Sequence, residues 1–195
     1  MMRWIFAALI AFGAWHWWTD RAIERPPGVI AAAAPEQIPV TANSPPFQKD
    51  GYTLTALARF ALTARVLGVE RYRFDRAADL APLDLALGWG PMSDSAVLSR
   101  IRISQGGRFY HWRADEFPIP RRDIEIHSAN MHLIPATPEV EKQLKRARPG
   151  SIVQLSGYLV EARAGDGWRW ASSMTREDTG AGACELIWVE KLEVR

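Results

Sequence analysis

The run Pro138–Arg163, PEVEKQLKRARPGSIVQLSGYLVEAR, decides how the rest of the chain is read. Its first half places Val140, Leu144 and Ala147 on one helical face, with Glu139 and Glu141 early and Lys145, Arg146 and Arg148 late, matching the helix macrodipole. Thr137 stands where an N-cap belongs, and Pro149-Gly150 stops the helix. The second half, Ser151–Arg163, reads as a long strand interrupted by Gly157. A helix delivered straight into a long strand suits a five-stranded barrel of the OB type, whose helix lies between its third and fourth strands.

Outward from this run, Thr53–Val69 fits two templates. Leu54, Leu57, Ala58, Ala61 and Leu62 approximate helical spacing, whereas the alternation from about Arg59 onward predicts a strand. Leu80–Leu87 predicts a short helix with Pro82 in its first turn, stopped by Gly88 and Gly90. Arg100–Gln105 and Arg108–Trp112, joined by Gly106-Gly107, predict a hairpin. The turn Ala164–Gly167 leads into a return strand at Trp168–Trp170, and Cys184–Val194 alternates as a closing strand. The expected fold of residues 51–195 is therefore mainly β (α+β): a small OB-like barrel or strongly twisted antiparallel sheet with one or two short helices.

A hydrophobic helix is expected ahead of it. Trp4–Trp18, WIFAALIAFGAWHWW, would span roughly 22 Å as a helix. No small-x-small cleavage site follows, and the tryptophans suit a membrane interface, so residues 1–19 read as a retained anchor. Residues 20–50, with Pro26, Pro27, Pro35, Pro39, Pro45 and Pro46, read as a semi-rigid linker. The expected placement is a single pass through the inner membrane with the C-terminal domain in the periplasm. A net charge of +2 over 195 residues, 48% of them hydrophobic, describes an ordinary globular chain. A single cysteine excludes an internal disulfide framework and any multi-cysteine metal site.

The runs LALGWGPMSD (85–94), HSANMHLIPA (127–136) and SSMTREDTGAGACELIWVE (172–190) resemble those of a family of uncharacterised proteobacterial proteins. The resemblance implies an N-terminally anchored envelope protein with one β-rich domain, and implies no activity, cofactor or catalytic residue.

Candidate chemistry is sparse. Ser128, Asn130 and His132, expected on a loop, are the polar residues best suited to line a ligand pocket, with Arg176 and Asp178 supplied by a second, glycine-rich loop. His127, His132 and His111 have no metal-ligand spacing, and no metal or cofactor is expected. Cys184 with His132 and Asn130 has the elements of a cysteine nucleophile, but Cys184 opens an apolar strand where a small buried hydrophobe is the usual occupant. No catalytic set is assigned. Arg100, Arg102, Arg108 and Arg113 on the hairpin, near Phe109, Tyr110 and Trp112, are the mixture used to bind single-stranded nucleic acid, yet 22 acids nearly balance 24 bases. The sequence favours a membrane-tethered, non-catalytic binding or scaffolding module with a protein partner in the envelope. An envelope hydrolase using the 128–132 and 176–185 loops, and a nucleic-acid-binding barrel, are the alternatives. A binding module predicts uncovered aromatic rings among Trp89, Trp112, Trp168 and Trp170.

Overall fold

The computed structural model describes Phe6 and residues 21–40, 46–175 and 184–195. The expected anchor, Phe6 apart, lies outside the described residues. Among the described residues no helix is long and apolar enough to cross a membrane.

The protein is mainly β. Its spine is β3 (Tyr52–Arg71), which pairs antiparallel with β8 (Ile152–Ala164) from Tyr52 opposite Ala164 to Arg65 opposite Ile152. Its far end pairs with β4 (Leu83–Gly88), which pairs antiparallel with β7 (Ser128–Pro135). β7 runs parallel to β10 (Glu185–Val194), and β10 returns antiparallel to β8. The β3–β8 ladder therefore joins the two ends of the path into a closed ring, an arrangement compatible with an OB-like barrel. The parallel β7–β10 pair requires a crossover, and α3 (Pro138–Leu144) with β8 supplies it. Phe60, Leu62, Leu85, Leu87, Met131, Leu133, Leu155 and Ile187 fill the interior, and Val140 and Leu144 of α3 join the same core. Each such side chain contributes about 1.5–3 kcal/mol on full burial. Thr137 Oγ1 accepts the N–H of Val140, as an N-cap should.

Three stretches differ from the sequence-based expectation. β3 begins at Tyr52 rather than near Arg59: every second residue from Tyr52 to Ala64 is buried, and the apolar Leu57 and Ala61 at the intervening positions are what give the segment a helical look. Leu83–Gly88 is a strand, and residues 128–135 are a strand rather than a loop. Both are buried on both faces, so neither alternates. Their outward face is covered by an insertion between β4 and β7. It comprises α1 (Ser95–Leu98), the hairpin β5 (Arg102–Gly106) and β6 (Phe109–Arg113), and α2 (Arg121–Ile126). The hairpin is where the sequence puts it, with its left-handed pair at Gly107 and Arg108 rather than Gly106 and Gly107.

The proline-rich stretch is not held away from the domain. Ile23 N–H donates to Pro149 O (2.7 Å), Gly28 and Ala31 N–H donate to Asp94 and Ser93, and β1 (Glu36–Pro39) pairs with β3. β2 (Phe47–Lys49) adds a second short partner on β3, and β9 (Arg169–Ala171) extends β8. An extended chain keeps its backbone groups free for such pairing, and proline is tolerated on an edge.

Gly157 pairs with Val189 beside the register shift in β10, and a Cβ there would overlap the Trp188 carbonyl. Gly157→Ala is therefore expected to destabilise the fold by at least about 2 kcal/mol in urea unfolding, whereas Gly165→Ala, in open space, leaves it unchanged.

Candidate functional site

On the outward face of the β4–β7 pair, Asp84 stands opposite His132, Ala86 opposite Asn130 and Gly88 opposite Ser128. Asp84 is fully buried, and Ser128, Asn130 and His132 are nearly so. A carboxylate this deep needs partners, and the β5–β6 hairpin brings them. Gly68 lets the hairpin sit close, since a Cβ there would overlap the Gln105 side chain. Gln105 Nε2 then donates to Asn130 Oδ1 (2.8 Å).

Arg108 at the hairpin tip reaches inward. One terminal nitrogen of its guanidinium donates to Asp84 Oδ1 (3.1 Å) and to Ala81 O (2.8 Å), and the other to Asp75 Oδ1 (2.8 Å). The guanidinium lies over the Tyr72 ring, 3.6 Å from its centroid. The Arg108 backbone is used as fully: its N–H donates to Tyr72 Oη (2.9 Å), and its carbonyl accepts from Asn130 Nδ2 (3.1 Å). These contacts hold a non-glycine residue at φ +71°, a conformation costing about 1–2 kcal/mol. Asn130 Nδ2 also donates to Asp84 Oδ2 (3.3 Å). His132 Nδ1 stands 2.9 Å from the same oxygen but off the line of a hydrogen bond, so that contact is one of proximity rather than of an aligned donor. The His132 ring packs on Trp170, 4.7 Å between centroids. Ser128 Oγ donates to Ile124 O (2.6 Å) and lies 2.5 Å from Tyr110 Oη.

Of the residues expected to line a pocket, Ser128, Asn130 and His132 thus share one strand face and one buried network. Arg176 and Asp178 lie outside the described residues. The ends of their loop are nevertheless close by: Ser173 N–H bonds Cys184 O, Glu185 pairs with Met131, and Cys184 Sγ lies 3.8 Å from the Arg108 carbonyl. His127 is engaged elsewhere, its Nδ1 2.8 Å from Asp123 O. Among the described residues no three His, Cys, Asp or Glu side chains converge as metal ligands. Sequence reading missed Asp84 and the inward role of Arg108. The available signal was an acid isolated in the apolar run LAPLDLALG. The aromatic expectation also needs correction: Trp89 is buried, and Trp112, Trp168 and Trp170 are half-buried against other rings. Among the described residues, the exposed phenylalanine rings are Phe6, Phe74, Phe109 and Phe117.

A second feature is open. A groove of about 680 Å³ runs between α3, β3, β8 and β10, floored by Leu62, Val140, Leu155 and Leu192 and rimmed by Glu36, Glu139, Glu190 and Glu193, with Lys191 as the one lysine in its lining.

Arg108→Ala is expected to cost about 3–5 kcal/mol by stranding the Asp84 carboxylate, with Asp84→Asn in the same chain recovering part of the loss in a double-mutant cycle. Burial raises the Tyr72 and Tyr110 hydroxyls from 10.0 to about 12, and the Asp84 charge adds to the effect at Tyr72. Their folded state holds protons longer than the unfolded one, so their contribution is intact below pH 10 and is lost as pH rises towards 12. Tyrosinate absorbance should show late steps, one of which Tyr110→Phe removes. No family model matches the chain, and comparisons with curated proteins and with solved structures give no match.

Proposed function

We propose that this chain is a membrane-tethered, non-catalytic binding or scaffolding module of the bacterial envelope, built on an OB-type barrel, whose groove takes an extended basic segment of a protein partner. The OB assignment is supported by the ring order β3-β4-β7-β10-β8, with α3 between its third and fourth strands in sequence. The groove carries the functional reading: it falls in the size range of ligand sites, and Glu36, Glu139 and Glu190, with Glu193 shared with Arg195, favour a cationic occupant. The polar residues that an enzyme would use are engaged with one another around Asp84 and Arg108. A hydrolase reading draws on the approach of Cys184 to that network. The nucleic-acid reading is less favoured, because Arg100 pairs with Glu116, Arg102 with Asp115 and Arg108 with Asp75 and Asp84.

In spheroplasts, the tagged full chain should fractionate with the membrane and lose its domain to added protease. Purified in detergent, it should bind a fluorescent Lys/Arg-rich extended peptide about tenfold more tightly than the Glu190→Lys, Glu193→Lys double variant does. Equal binding by the two would remove the groove from the proposal, and a protease-protected or soluble domain would remove the tether.

A further inference from the structure

Residues 21–25 do not leave the barrel at random. Ile23 N–H is bonded to Pro149 O, Arg25 Nε donates to Gly150 O (3.0 Å), and its terminal nitrogen donates to Arg195 O (3.1 Å). Gly150, at φ +87°, carries no Cβ, and one would overlap the Ile23 carbonyl, so strap and turn are closely fitted. Trp18, the last residue of the apolar run, is five residues before Ile23, and five residues reach at most about 18 Å. The end of the barrel formed by the Pro149-Gly150 turn and the end of β10 is therefore tied next to that run.

The same end is basic. The exposed Lys145 and Arg146 and the half-buried Arg148 lead into the turn, Arg71 donates to Lys145 O, and Arg25 and Arg195 lie beside it. Glu141 and Glu193 hold Lys145 and Arg195 in surface pairs, and Asp20, Glu24 and Glu70 are the other nearby acids in sequence, fewer than the bases Arg21, Arg25, Arg71, Lys145, Arg146, Arg148 and Arg195.

We infer that this basic end of the barrel rests on the headgroups of anionic phospholipid, so that the domain sits down on the bilayer in a fixed orientation instead of swinging on a spacer. The inference rests on Trp4–Trp18 being the anchor. Anionic headgroups are the occupant because the apolar run joins the barrel at this end and the bases there complement their charge. The Ala164–Gly167 turn, at the other end of β8 and roughly 40 Å away along the strand, would point from the membrane.

The test uses the full chain in vesicles of phosphatidylethanolamine and phosphatidylglycerol, with a benzophenone amino acid in place of Arg146 or, separately, of Gly165. Alkaline carbonate extraction is run on the same samples. Irradiation should give lipid adducts at 146 and not at 165, and Lys145→Glu with Arg148→Glu should lower the yield at 146 about tenfold while the chain stays carbonate-resistant. Carbonate resistance with equal or no adducts at the two positions would overturn the docked orientation and leave the anchor standing. Extraction by carbonate would overturn both.

Discussion

The ladder between β3 and β8 is the constraint on which the remaining architecture depends. It is the seam that turns an open, twisted sheet into a ring and removes two long edges that would otherwise lie exposed. Because β3 continues past the seam to pair with β4, one strand serves both sides of the barrel, and bulges at Ala56–Ala58 and Val66–Gly68 let it bend to do so. The seam also fixes where β8 begins and ends. One end of β8 is held by the strap and the Arg195 backbone, and the other carries β9 and Trp170 to the buried polar network.

That network explains why a barrel strand can have polar residues on its outward face and still be buried. Asp84, Asn130 and His132 are closed over by an insertion whose tip residue, Arg108, supplies the compensating charge. The insertion is joined to the barrel by polar as well as apolar contacts, since Ile101, Met92 and Ile124 form a small core of their own beneath it. A buried pair of this kind contributes little net stability against an apolar replacement, and its use lies in fixing one seating of the hairpin.

The sequence made some of this legible and hid the rest for identifiable reasons. The helix at Pro138, the hairpin around Gly107 and the long strand after Gly150 carry local signals: a cap, a turn and an alternation, each read without knowledge of the surroundings. β4 and β7 carry none, because burial on both faces erases the period of two, and LDLALG and NMHLIP then look like helix or loop. Likewise, Ser128, Asn130 and His132 could be picked out by type, but their partner Asp84 lies across a strand pair, and Arg108 comes from an insertion whose docking no local pattern encodes. The strap escaped for a related reason. Proline content predicts extended backbone correctly, but whether that backbone meets a sheet edge is a matter of tertiary contact.

The β3–β8 seam also sets the order in which the chain can fold. Tyr52 and Ala164 are more than a hundred residues apart, so closing the ring demands a long loop and belongs to the slow, non-local class of folding events. Until then β3 is a long apolar strand with open edges, the kind of segment that pairs with other chains. β2 joins β3 through the tight Asp50-Gly51 turn, both residues left-handed, and only seven residues separate the end of β1 from the start of β2. These two short strands can pair with β3 while β8 is still distant, so they cover one edge of β3 early and leave open only the edge that awaits β8.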